Sequence, residues 1–133
     1  MGFDFGKNNV GKVAEAGYEF ELIYPITGEG TDAFITVRGE ASKTVQAYNR
    51  AQFNREQQKA KSGRNADKVV PIEEYYEKAI EKAVVKTIGW KGIVVDGEEL
   101  AFTESNAKKF YAENDWVREA VDRESAEITN FRS

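Results

Sequence analysis

The chain of 133 residues has no cysteine and no histidine. Without thiols there is no disulfide framework, no thiolate nucleophile and no sulfur-ligated metal site. Without imidazole, the Ser-His and Cys-His nucleophilic systems, acid–base work near neutral pH and the usual zinc sites fall away too. Proline occurs only twice, and no apolar run approaches the ~18 residues of a membrane span. The start, Met1-Gly2-Phe3-Asp4-Phe5-Gly6-Lys7, lacks an apolar stretch of signal length, so a cytosolic protein without membrane contact is expected. An excess of basic charge is also missing. Nineteen Lys and Arg stand against 23 Asp and Glu, a net charge of −4, which argues against sequence-independent binding to nucleic acid. What remains is carboxylates, hydroxyls, lysine and arginine on a chain that is 41% apolar and of single-domain length.

The pattern predicts an α+β fold with two short β-hairpins and three or four helices, divided into a flexible N-terminal arm (1–16) and one domain (17–133). The arm is rich in glycine and follows neither a period of two nor one of 3.6. Alternation from Tyr18 to Tyr24, turn residues Thr27-Gly28-Glu29-Gly30 and a β-branched run from Ala33 to Arg38 predict the first hairpin. Glycine-free and proline-free sequence from Glu40 to about Lys61 predicts a polar helix, stopped at Ser62-Gly63-Arg64-Asn65. Pro71 then stands in the first turn of a core helix, with Ile72, Tyr76, Ala79, Ile80, Ala83, Val84 and Thr87 as one apolar stripe ended by Gly89. Trp90 is expected to fill the junction between that helix and the second hairpin, whose turn is Asp96-Gly97. Thr103 and Asn114 or Asp115 are expected to cap the last two helices.

Few residues group in ways that suggest chemistry. The carboxylate pairs Glu19/Glu21, Glu73/Glu74 and Glu98/Glu99 are the material for acid–base work or a magnesium ion, but solvated faces explain them more simply. Tyr48, Arg50, Phe53 and Arg55 interleave aromatic and basic residues as single-strand binders do, yet Tyr48 and Phe53 lie about 140° apart on a helix and form no stacking platform. No cofactor or metal is expected. Charge is distributed unevenly: residues 40–70 carry seven basic and three acidic groups (7 − 3 = +4), residues 92–133 five and ten (5 − 10 = −5). Such segments suit head-to-tail pairing of copies, though two solvated faces are the plainer reading.

Gly89-Trp90-Lys91-Gly92, the short strand after it, the run Leu100-Ala101-Phe102-Thr103-Glu104-Ser105-Asn106-Ala107 and Asn130-Phe131 together resemble the tail assembly chaperones of long-tailed bacteriophages. The likeness extends more loosely over Ala33 to Arg38, Gly39 and Ser42. It implies a non-enzymatic protein of the host cytoplasm that binds the tape measure protein before the tail tube polymerises around it, and that self-associates. The readings from other classes are a magnesium-dependent carboxylate hydrolase or nuclease and a tail structural subunit retained in the virion. For a client-binding surface, the large apolar residues nearest the carboxyl end, Trp116, Ile128 and Phe131, are the candidates. The basic helix of residues 40–61 is the next place to look.

Overall fold

The computed structural model describes residues 2–61 and 72–132. Among them, five α-helices and two small antiparallel sheets build one α+β domain. The first strand, β1 (Tyr18–Ile23), pairs with β2 (Gly30–Val37), with Phe20 opposite Ile35. The strict alternation read in the sequence is visible here: Phe20 and Leu22 are buried while Glu19 and Ile23 face out. On the other side of β2 lies β3 (Thr87–Lys91), giving the order β1-β2-β3.

That third strand corrects the expectation that the core helix runs to Gly89. The helix α3 (Ile72–Lys86) ends earlier, because the Thr87 hydroxyl donates to the Ala83 carbonyl at 2.8 Å and the chain then turns to pair with β2. Gly89 sits inside the strand opposite Thr36. The second hairpin is two residues long on each side, β4 (Val94–Val95) and β5 (Glu98–Glu99). Asp96 and Gly97 both have positive φ, 52° and 83°, as the central pair of a type I′ turn requires.

Helix α1 (Val10–Ala16) lies within the segment expected to be a flexible arm. Two local facts place it. The Asn9 side chain accepts from the Lys12 amide at 3.0 Å, a good N-cap, and Ala14 is fully buried. Short, alanine-rich helices carry too few apolar residues to show a period, so packing rather than pattern decides their order. Helix α2 (Lys43–Lys61) starts where the Ser42 hydroxyl accepts from the Val45 amide, and Val45 is its only buried residue. The expected stop at 62–65 and the first-turn role of Pro71 lie outside the described residues. Helix α4 (Glu104–Glu113) is capped by Thr103 as expected, its Oγ1 accepting from Asn106 N at 3.0 Å. Helix α5 (Asp115–Ala126) follows Asn114, whose side chain donates to the Phe110 carbonyl instead of capping. A 3-10 turn, Ile128–Asn130, closes the described chain.

The core lies between the inward face of the β1–β2–β3 sheet and the helices. Phe20, Leu22, Ala33, Ile35 and Val37 meet Ala83, Tyr111, Val117, Ala120 and Val121. Trp90 joins this cluster, half-buried, with its Nε1 donating to Leu100 O at 2.8 Å and its ring edge-on to Phe102 and Phe110. The bend after β2 ties the layers together. Arg38 N donates to Lys86 O, Gly39 N to Ala14 O and Glu40 N to Ser125 O, while Ser125 Oγ donates to Arg38 O at 2.6 Å. Gly39 is needed here, since a Cβ at that position meets Ala14 Cβ and the Phe131 ring at 2.9 Å.

Candidate functional site

Among the described residues several grooves open on the surface, and two that are lined by aromatic side chains arise from where helices stand relative to what they pack on. The larger, about 680 Å³, runs between α2 and α3 and ends at α5. Its α2 wall is Tyr48, Asn49, Gln52, Phe53 and Glu56, and its α3 wall includes Tyr75, Lys78, Ala79 and Lys82. Tyr48 and Phe53 thus share a wall despite their 140° separation. They flank Gln52 and Glu56 at the centre of one broad face, so the angle that denied them a stacking platform does not keep them out of one groove. Phe53 is 60% exposed and Tyr75 68%. Burial along α3 rises from its first turn, where Ile72 and Tyr76 face solvent, to its last, where Ala83 and Lys86 are enclosed. The stripe predicted as one continuous core face is therefore core only in its second half.

At the closed end of this groove Lys86, 4% exposed, donates to Glu40 at 2.7 Å and to Asp122 at 3.1 Å. The Tyr48 hydroxyl is enclosed, and burial, with the negative charge of Glu81 beside it, pushes its pKa up to about 12. The groove lining as a whole holds three lysines, Lys78, Lys82 and Lys86, against three carboxylates, Glu40, Glu56 and Asp122, a polar but charge-balanced surface. Ion pairs Lys59–Glu74 at 3.8 Å and Lys78–Glu56 at 3.7 Å cross between the two helices. These are partly exposed and set alignment more than stability.

The smaller groove, about 220 Å³, lies between β1 and α5. Its walls are Phe20, Glu21, Leu22 and Ile23 on one side and Trp116, Glu119, Ala120, Arg123 and Glu124 on the other.

The three residues expected to form one client surface are separated by the fold. Ile128 is 62% exposed on the terminal 3-10 turn. Trp116 is half-buried, in the β1–α5 groove, its ring edge-on to Tyr24. Phe131 is only 5% exposed and is a core residue, a correction to its reading as an exposed contact. The cause is Gly39: without a side chain there, the Phe131 ring packs against the bend beside Ala14 and edge-on to Tyr18. Of the groove residues, Phe53 enters the sequence reading only as part of the aromatic-basic interleaving that was set aside, and Tyr75 does not enter it. Their only signal was a large aromatic at a position outside any apolar stripe.

The carboxylate pairs are placed apart from one another. Glu19 meets Lys91 at 3.5 Å, Glu21 accepts from Asp32 N at 3.0 Å, Glu74 meets Lys59 and Lys78, and Glu98 and Glu99 lie on the exposed β5. Among the described residues no three Asp, Glu, His or Cys side chains gather in metal-binding reach, and no helix is long and apolar enough to cross a membrane.

A small α+β domain with two mixed apolar and charged grooves is the class of protein defined so far. Residues 39–133 match the family model described as YdaY prophage protein, which spans well over half the chain, so the chain belongs to that family and is phage-derived. The match begins at the Gly39 bend and takes in α2 to the end, leaving α1, β1 and β2 outside it. No curated protein and no solved structure matches the chain.

Proposed function

We propose that this prophage protein is a non-enzymatic tail assembly chaperone that binds the tape measure protein in the host cytoplasm, with the α2–α3 groove as the client surface. The observation that carries the reading is the pair of exposed aromatics, Phe53 on α2 and Tyr75 on α3, lining one groove between the two helices. A long helical client presents apolar side chains at steps of three and four, and a two-helix groove receives such a stripe as a third helix. Large aromatics held outside the core are the anchors such contacts use. Self-association belongs to the same proposal, since α2 is basic and the chain after residue 92 is acidic.

The test is co-expression of the chain with the longest helical reading frame of the same prophage, followed by capture on a tag. The double variant Phe53→Ser, Tyr75→Ser should lose the client while keeping its thermal midpoint, because both side chains are exposed. Retained capture by a folded double variant places the client elsewhere. Finding the protein in purified virions contradicts a chaperone and favours a tail subunit.

A further inference from the structure

The smaller groove has a geometry that the helical-client reading does not use. Four successive residues of β1, Phe20 to Ile23, line it, although successive side chains of a strand point to opposite faces. A groove open along the strand's backbone edge touches both faces, and the register irregularity between Glu21 and Ile23 re-aims side chains there as well. Among the described residues β1 is an edge strand, paired on one side by β2 alone. In such a strand alternate residues turn their N–H and C=O groups outward. Among the described residues, no backbone bond from elsewhere in the chain reaches Tyr18 to Leu22 outside the sheet, and the one side-chain bond there comes from Thr31, on the β2 side, to Leu22 O.

The opposite wall is equally regular. Trp116, Glu119, Ala120, Arg123 and Glu124 are spaced as one face of α5, lying alongside that edge. From 116 to 124 the helix advances about 12 Å, the length of roughly four extended residues. A strand edge facing a helix across a slot of this length is the arrangement that accepts an added peptide strand.

Side-chain chemistry selects the occupant. A strand added to β1 places every second side chain on the face of Phe20 and Leu22, against Trp116 and Ala120, which calls for apolar residues. The alternate side chains fall on the face of Glu21 and of Glu19, which already meets Lys91. The groove lining itself holds three carboxylates, Glu21, Glu119 and Glu124, against one guanidinium, Arg123. We infer that the β1–α5 groove is a second binding site, for an extended peptide segment of another protein in which apolar and basic residues alternate, held by strand addition to β1.

The probe is a capped synthetic peptide of alternating valine and lysine, about six residues long to span the edge, titrated into the isotope-labelled full chain. Amide shifts should be confined to residues 18–23 and 115–126. The glutamate-for-lysine peptide should bind at least tenfold more weakly, and Glu119→Arg, at an exposed position, should weaken the lysine peptide by a similar factor. Methylating the amides of all valines or of all lysines distinguishes a strand from any other pose: one set should abolish binding and the other leave it intact, since only one set faces β1. The inference is overturned if both methylated sets bind, if the acidic peptide binds as well, if shifts fall on α2 and α3, or if no saturation is reached by about 1 mM. It is overturned equally by a concentration-dependent dimer with protected β1 amides, which gives the groove to a second copy. The Phe53→Ser, Tyr75→Ser variant should bind the peptide normally, so this site and the client groove succeed or fail separately.

Discussion

Lys86 Nζ lies 2.7 Å from Glu40 Oε1 at the closed end of the α2–α3 groove, joining the last turn of α3 to the bend that follows β2. Asp122 of α5 takes a second bond from the same nitrogen at 3.1 Å. Three elements distant in sequence thus share one ammonium, and the sequence showed only one lysine among four in a basic-acidic helix segment and the strand after it.

Replacing this lysine by methionine keeps the stem and removes the charge. Two carboxylates are left facing one another, but each keeps about two-fifths of its exposure and rehydrates. The expected loss is about 1–3 kcal/mol, below the ~3–5 kcal/mol of a fully enclosed broken pair. Urea unfolding with an unchanged slope measures it. A variant as stable as the parent shows that the stem alone holds the site.

Trp90→Ala should cost ~3–5 kcal/mol, because the ring is shared by Phe102, Phe110 and Tyr111 and leaves a cavity that three rigid aromatics do not fill. Trp90→Phe keeps most of that volume and loses the bond to Leu100 O, a loss of about 1 kcal/mol. Equal losses for both variants assign the stability to the hydrogen bond instead of the packing.

Elements with their own local signal were legible in the sequence. The β1–β2 alternation, the Asp96-Gly97 turn and the Thr103 cap each rest on residues adjacent in the chain. What depended on distant partners was not. β3 is a strand because β2 has a free side, and Phe131 is core because Gly39 leaves room for it. The grooves are the extreme case: Phe53 and Tyr75 share one only because α2 and α3 stand side by side. Among the three residues expected at a partner surface, Trp116 lines a groove, and its partner there is a strand about 95 residues earlier in the chain.

Alkaline unfolding should report on Tyr111. Its hydroxyl is fully buried, 2.7 Å from the Thr87 hydroxyl, and burial raises its pKa above the ordinary value of 10. The folded chain therefore holds a neutral phenol that the unfolded chain ionises. The stabilisation is complete below about pH 10 and is lost as pH rises from there through the folded value. Tyr111→Phe should be less stable at pH 7, since Thr87 loses a partner, but its unfolding midpoint should fall less steeply above pH 10. Parallel curves for the two proteins show that Tyr111 does not govern the alkaline limb.

The acid limb should report on Glu15. The hydrogen bond from the Thr44 hydroxyl, the largest effect, holds the Glu15 carboxyl below its ordinary value of 4.5; burial opposes it, and the Thr44 amide and the Arg38 guanidinium at 3.2 Å add to the lowering. A lowered folded value means that the stabilisation is present above the unfolded pKa and is lost as pH falls through the folded one. Glu15→Gln should narrow the difference between midpoints at pH 7 and pH 3. It should also loosen α1 from the start of α2, read as faster amide exchange at residues 10–16. Unchanged exchange there shows that Ala14 packing alone holds α1.

Ile128 and Phe131 are three residues apart and should behave oppositely. Phe131 packs on Gly39, Ala14 and Tyr18, so Phe131→Ser should cost ~3–5 kcal/mol, as truncations of enclosed phenylalanine do. Ile128 is exposed, and Ile128→Ser should change stability by less than ~0.5 kcal/mol. Client capture then separates folding from binding. A folded Ile128→Ser protein that loses the client extends the binding surface to the terminal turn, beyond the α2–α3 groove. Lost capture by Phe131→Ser is informative only at temperatures where its cooperative transition survives, and at those temperatures capture should be retained, because the ring faces the core and not a partner.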